Sequence, residues 1–278
     1  MSIELVEEHA LVKDNMLKPK QDVRIYVDTE NYKQPDKLQI YLQQEPEAIR
    51  PIKQYLLSNA HKYDAILTFD TDVLDKCPNA KLFTLYTVTW LNEEDYMNID
   101  ISKKQFQISC LVGGKRMTAG HEIRLFFYFN QTHLMTYPFV FFRSCVPPLL
   151  PEITKNPMLQ NKECSAKRDL FQEYQFHLAI ENSRQDNYFT EKLMDCLISK
   201  TIPIYYGCPN IASYFDTKGW ILLEVGTIDE VLEKCKVLDK DYYSQYTQTI
   251  EANYKKAFYY KEYIQRLNDV LSTVPGYV

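Results

Sequence analysis

Phe176-His177-Leu178-Ala179-Ile180-Glu181-Asn182-Ser183, then Asp186-Asn187-Tyr188-Phe189-Thr190-Glu191-Lys192-Leu193, then Ile202-Pro203-Ile204-Tyr205-Tyr206-Gly207, is the stretch from which the fold is read. An apolar run that stops at Glu181, Asn182 and Ser183 is a buried strand with a polar exit loop. Thr190 ahead of Glu191 is a helix start, predicting a helix over 190–199, and 201–206 is a second strand. A helix start exposes unsatisfied backbone N–H groups, and Lys192 adds an ammonium beside them, so the pair is suited to neutralising a diphosphate. Ordinary helix capping with a solvent-facing Glu191/Lys192 pair is the plainer reading that these residues leave open.

Working outward, strands are predicted over 23–27, 37–42, 63–69, 80–85 and 105–111, with helices over 49–59 and 122–131. Prolines 147, 148, 151 and 157 and the polar run 160–168 break the pattern, which places a domain boundary near 138. A strand over 220–225, a helix over 227–238 and a tyrosine-rich helical region over 241–271 close the chain. Strands alternating with helices predict an α/β fold of two Rossmann-like domains, 1–137 and 138–278, with the terminal helices packing back toward the first.

The chain has 278 residues, 45% hydrophobic and 25% charged, enough to bury one large or two medium cores. No run reaches the roughly 18 apolar residues of a membrane span, and the acidic start Glu4, Glu7, Glu8 is unlike a secretory leader, so a soluble cytoplasmic chain is expected. A net charge of -5 with no basic stripe argues against nucleic acid as a partner. The seven cysteines never form C-x-x-C, and the five histidines form no H-E-x-x-H, so no metal site is expected from either.

The segment 174–225 resembles the signature of the α1,3-fucosyltransferase family, glycosyltransferase family 10. In that family a strand ending in F-E-N-S leads through D-Y-[IF]-T-E-K-L to a V-P-[VI]-x-x-G strand. The resemblance implies a GT-B fold, two Rossmann-like domains facing a central cleft, with the nucleotide sugar on the C-terminal domain and the acceptor on the N-terminal one. It implies inversion at the anomeric carbon without an obligatory metal or other cofactor. By position Glu191 would hold a ribose or sugar hydroxyl and Lys192 the diphosphate, with Glu181, Asn182, Ser183 and Tyr188 lining the donor pocket. Gly113-Gly114-Lys115-Arg116 and Gly120-His121-Glu122-Ile123-Arg124 resemble the family's basic segment. Arg116 is favoured there over Arg124, which reads as a helix-surface residue, and Lys115 and His121 join it.

Glycosyl transfer needs a carboxylate to take the acceptor proton and cations to stabilise the departing diphosphate. The candidate bases follow N-terminal strands: Asp72 first, then Glu45, then Asp70. Trp90 and Tyr86 are candidates for stacking on an acceptor sugar. Asp70-Thr71-Asp72 also spells the D-x-D pattern of metal-dependent glycosyltransferases, an alternative reading. A glycan-binding protein without activity is another. The expected donor is a nucleotide sugar, GDP-fucose from the family resemblance or UDP-xylose from likeness to chlorovirus glycosyltransferases that include a xylosyltransferase. The expected acceptor is a glycan or glycoprotein, and a viral or bacterial origin is expected from the short chain.

Overall fold

In the computed structural model, which describes residues 2–6, 18–84, 87–146 and 160–278, the chain divides into two compact units. One comprises Met1–Val88, Gln185–Tyr188 and Glu262–Val278; the other comprises Thr89–Arg184 and Phe189–Lys261.

The first unit is built on β1 (Ile3–Val6), β2 (Val23–Val27), β3 (Leu38–Leu42), β4 (Ala65–Thr68) and β5 (Ala80–Leu82). They pair in parallel in sequence order. Strand alternation sends Val23, Ile25 and Val27 with Leu38, Ile40 and Leu42 to one face, and Tyr26 and Tyr41 to the other. The tyrosine face is covered by α1 (Lys53–Asn59) and α2 (Thr71–Lys76), through Leu56 and Val73. Crossovers of one hand put both helices on the same side. The opposite face takes Leu267 and Leu271 of the chain's last helix, Tyr263–Ser272, together with Val274 and Tyr277. Fully burying side chains of this size stabilises by about 1.5–3 kcal/mol each.

The second unit contains α3 (Glu93–Met97), β6 (Gln105–Gly113), α4 (Ala119–Phe129), β7 (Phe139–Ser144), β8 (Gln160–Glu163), β9 (Tyr174–Ile180), α5 (Glu191–Ile198), β10 (Ile202–Tyr206) and β11 (Ile221–Leu222). After them come α6 (Ile228–Lys234), α7 (Tyr242–Gln245) and α8 (Thr247–Lys261), and the chain's last helix, α9, belongs to the first unit. The sheet is parallel, in the order β11-β10-β9-β6-β7-β8. Chain direction across the sheet reverses between β6 and β9, which is the doubly wound order. Ligands of such sheets bind beyond the strand C-termini at that switch point.

The break at Val88/Thr89 differs from the expected one near 138. β6, α4 and β7 belong to the six-stranded unit, because β6 pairs with both β7 and β9. The texture change read as a boundary contains two strands. β7 is a run of aromatic and apolar residues hidden beside prolines, and β8, Gln160–Glu163, is a polar edge strand with no apolar alternation. Prolines 147, 148, 151 and 157 lie outside the described residues.

Candidate active site

The switch point brings together the exits of β6 and β9. After β6 the chain runs through Gly114, Lys115 and Arg116 to Thr118, which precedes α4; after β9 it runs through Glu181, Asn182 and Ser183. The two loops touch along their backbones. The Gly120 amide donates to the Asn182 carbonyl at 3.2 Å, and the Glu181 carbonyl occupies the space a Cβ at 120 would need. Glycine is required there by close approach, not by backbone angle.

Arg124, one turn into α4, is buried and donates to the Ile180 carbonyl and, at 2.9 Å, to Asn182 Oδ1. It is therefore not the helix-surface residue expected from sequence. Arg116, favoured instead, is exposed and lies 3.6 Å from the exposed Glu122. The sequence signal for Arg124 is its helical spacing: it shares a buried face with His121, Leu125 and Tyr128. His121 accepts or donates at Nδ1 with Thr118 Oγ1 at 2.6 Å. Burial, then the charges of Arg124, Lys192 and Lys115, push its imidazole down to about 4, so it is neutral near pH 7.

The opposite wall is the start of α5. Glu181 is fully buried, and both its oxygens accept from Thr190: Oε1 from the backbone N–H at 2.8 Å, Oε2 from the hydroxyl at 2.6 Å. Burial raises its carboxyl, with the charge of Glu191 adding to the effect. Thr190 in turn caps α5 by accepting from the Lys192 amide at 3.3 Å. Gly207 leaves no room for a Cβ beside the Glu181 side chain, which fixes the glycine of the V-P-x-x-x-G-like segment. Lys192 Nζ lies 2.7 Å from Glu191 Oε1, and its side chain is 22% exposed. Burial acts to lower the Lys192 ammonium, but Glu191 and Glu181 outweigh it and hold it above its usual range. Burial likewise acts to raise Glu191, but Lys192 and Lys167 outweigh it and keep it ionised. The Ser183 hydroxyl is buried with no hydrogen-bond partner among the described residues.

The remaining expected residues stand on other elements. Tyr188 is buried in the five-stranded unit with its ring against Phe69, centroids 5.3 Å apart. Asp70 caps α2, accepting from the Val73 amide at 3.2 Å, and its other oxygen faces Lys53 Nζ at 3.0 Å and Gln185 at 3.1 Å. Asp72, half-exposed, lies 2.9 Å from the same Lys53 Nζ, whose hydrogen bond holds its carboxyl below the usual range. An ammonium thus stands between the two D-x-D carboxylates. Among the described residues no group of histidine, cysteine, aspartate and glutamate is arranged to hold a metal.

Glu45 follows β3, and its amide donates to Asp28 at 2.8 Å. Trp90 is 62% exposed; its amide donates to the buried Asp195 at 2.9 Å, and Lys167 Nζ sits 4.8 Å over its ring. Tyr86 lies outside the described residues. Sequence reasoning missed Asp28, Lys53, Lys167 and Asp195, none of which stands in a motif.

A cationic helix start at the switch point of a doubly wound sheet is an arrangement suited to an anion. Residues 153–268 match the family model described as glycosyltransferase family 10 (fucosyltransferase) C-term. The α-(1,3)-fucosyltransferase FucT of Helicobacter pylori is 36% identical over 73 residues, 26% of this chain and 15% of that protein. GDP-fucose protein O-fucosyltransferase 3 of Bos taurus is 33% identical over 96 residues, 34% of this chain and 20% of that protein. The aligned parts are thus a fifth or less of these relatives' lengths. A crystal structure of α1,3-fucosyltransferase with GDP-fucose superposes with a TM-score of 0.51 at 18% identity, covering 87% of this chain and 77% of that one. The likeness gives the fold, GT-B, over both units.

Proposed function

We propose that the chain is an inverting glycosyltransferase that moves fucose from GDP-fucose to a hydroxyl of a glycan or glycoprotein. The six-stranded unit holds the donor in this reading. The observation that carries this is the convergence of Lys192, Arg124, Lys115 and neutral His121 at the switch point, beside the start of α5. That arrangement suits a leaving diphosphate, and the names of the relatives favour fucose and guanosine over xylose and uridine. Glu181 holds the helix start rigid through Thr190, and the Ser183 hydroxyl is left to meet the donor.

Among the three nominated carboxylates, Asp70 is committed to the α2 cap and Lys53, and Asp72 is held ionised by Lys53, which makes it a poor proton acceptor. Glu45, whose amide is held by the Asp28 carboxylate, is the base in this reading. The acceptor oxygen forms its bond to the anomeric carbon as its proton passes to Glu45. The bond from that carbon to the phosphate oxygen breaks with its electron pair, and Lys192 and Arg124 stabilise the GDP formed. Trp90 is the acceptor-stacking aromatic.

The test is a donor panel of GDP-fucose, UDP-xylose, UDP-glucose, UDP-galactose and GDP-mannose, with and without EDTA. Turnover of GDP-fucose alone, with release of GDP, is expected. Preference for UDP-xylose would replace the donor, and no donor bound under either condition would make the chain a glycan-binding protein.

A further inference from the structure

We propose that Asp195 is a positioning residue for a sugar subsite whose floor is the indole of Trp90. The proposal rests on the reading of Trp90 as the aromatic that stacks on the acceptor. Asp195, Lys167, Thr89 and Trp90 all belong to the six-stranded unit. Asp195 follows Glu191 by four residues, so it stands on the same side of α5 one turn further along. Its carboxylate is fully buried. Oδ1 accepts from the Thr89 hydroxyl at 2.7 Å and from the Trp90 amide at 2.9 Å, and the Thr89 hydroxyl in turn accepts from the Leu91 amide at 3.1 Å. Oδ2 has no hydrogen-bond partner among the described residues and faces Lys167 Nζ at 3.2 Å, while that ammonium sits 4.8 Å over the Trp90 ring. One carboxylate thus fixes Trp90 twice, at its main chain through Oδ1 and at its ring through the Lys167 ammonium.

The two attachments do different things. Oδ1, together with Leu91 buried in one apolar cluster with Leu193, Met194 and Leu197, anchors the segment. The Lys167 ammonium is not needed for that anchor; what it adds is a fixed place for the ring. Trp90 nevertheless remains 62% exposed. An exposed aromatic ring held in one orientation is a preorganised surface for the C–H face of a sugar, because its ordering is complete before the ligand arrives. The ammonium beside it is already matched by Asp195, so the surface suits an uncharged sugar rather than an acidic one.

The chain has two tryptophans and Trp220 is buried, so Trp220→Phe leaves Trp90 as the reporter. The experiment titrates this variant with the methyl glycosides of galactose, glucose and N-acetylglucosamine, with no donor present, and follows tryptophan emission. At least one glycoside should quench or shift it, and no change with any of the three overturns the subsite. In the same background Asp195→Asn keeps an oxygen for the Thr89 hydroxyl and the Trp90 amide but loses the charge that holds Lys167. It should weaken glycoside binding about tenfold, add a fast component to the anisotropy decay of Trp90, and leave GDP affinity within about twofold. Unchanged glycoside affinity in Asp195→Asn, whatever its Tm, overturns the positioning role. Should that variant fail to fold, Asp195→Asn combined with Lys167→Met, which removes both charges, takes its place. The parent variant also decides by itself, because fast ring motion of Trp90 there overturns the clamp. Reading binding without donor keeps this test separate from that of glycosyl transfer. A chain that binds glycoside at Trp90 and turns over no nucleotide sugar loses the proposed reaction and keeps the subsite, whereas transfer with an unmoved acceptor KM in Trp90→Ala removes the subsite alone.

Discussion

The Gly120 amide donates to the Asn182 carbonyl at 3.2 Å, joining the first turn of α4 to the exit of β9 with no space for a side chain between them. That contact brings Arg124 and His121 toward the loop that leads to Lys192. Gly120→Ala must push the Glu181 and Asn182 backbone aside, because the obstructing atoms are main-chain and cannot rotate away. A loss of about 1–3 kcal/mol in stability is expected from such overpacking. Affinity for GDP should fall at least about tenfold, since the anion site is distorted as well. Calorimetric titration with GDP at a temperature where the variant is still folded checks this, and affinity equal to wild type would show that the loops are not part of the site.

Lys192 is the one lysine of the α5 start, and its ammonium is kept charged by Glu191 and Glu181 despite burial. Lys192→Ala removes the cation that the proposed function sets against the leaving group, and leaves Glu191 buried without its ammonium partner. A fall in kcat/KM of about 100-fold or more is expected, the usual cost of deleting a transition-state charge partner. Lys192→Arg should recover part of it. Turnover of Lys192→Ala within about threefold of wild type would take the diphosphate away from this helix start.

The two arginines of the basic segment give opposite expectations. Arg124 is buried and bonded to Ile180 and Asn182, whereas Arg116 is exposed and pairs with Glu122 across 3.6 Å. Exposed pairs are worth about 0–1 kcal/mol, so Arg116→Ala should leave Tm and GDP affinity nearly unchanged. Arg124→Lys, which keeps charge but loses the fork that reaches both partners, should weaken GDP binding by about tenfold or more. The reverse ranking in a fluorescence titration with a labelled GDP would restore Arg116 to the phosphate.

What the sequence discloses of this molecule follows burial geometry. The strand ending at Ile180, the helix start at Thr190 and the strand 202–206 were legible because a parallel strand buried on both faces is a continuous apolar run with polar exits. β8 was not, because an edge strand such as Gln160–Glu163 is held by backbone hydrogen bonds and carries no side-chain pattern. β7 was legible in principle, but its neighbouring prolines drew the reading toward a linker. At the site, Glu181, Asn182, Glu191 and Lys192 stand in one ordered motif. Arg124 and Asp28 act through main-chain partners distant in sequence, and such partners leave no trace in local composition. The D-x-D triplet shows the converse: its spacing suits a metal, and only the fold brings Lys53, remote in sequence, between the carboxylates.

That lysine makes the metal question sharp. Lys53 Nζ lies 3.0 Å from Asp70 and 2.9 Å from Asp72, the position a divalent cation would need between them. Transfer measured in EDTA should therefore stay within about twofold of the rate in manganese or magnesium. Loss of transfer in EDTA that added manganese restores, together with a further gain in Lys53→Ala, would return the pair to metal binding.

His177 makes the fold less stable in acid. The imidazole is fully enclosed in the six-stranded unit, with Nδ1 2.7 Å from Ser109 Oγ and its ring 4.8 Å from that of Phe171. Burial, with the charge of Lys167 adding to it, depresses its pKa to about 3. The unfolded chain takes up this proton near pH 6.5 and the folded chain does not until about 3, so the contribution is fully present above 6.5 and declines as pH falls through that window. The loss at pH 5 is about 2 kcal/mol relative to pH 7. Asp28 works in the opposite direction, since its raised carboxyl favours the folded state at low pH. Comparing wild type with His177→Gln isolates the histidine. Urea midpoints at pH 7.5 and pH 5 should differ less in the variant, which has nothing to titrate at that position, and an equal difference in both proteins would show that His177 is charged or solvated in the fold.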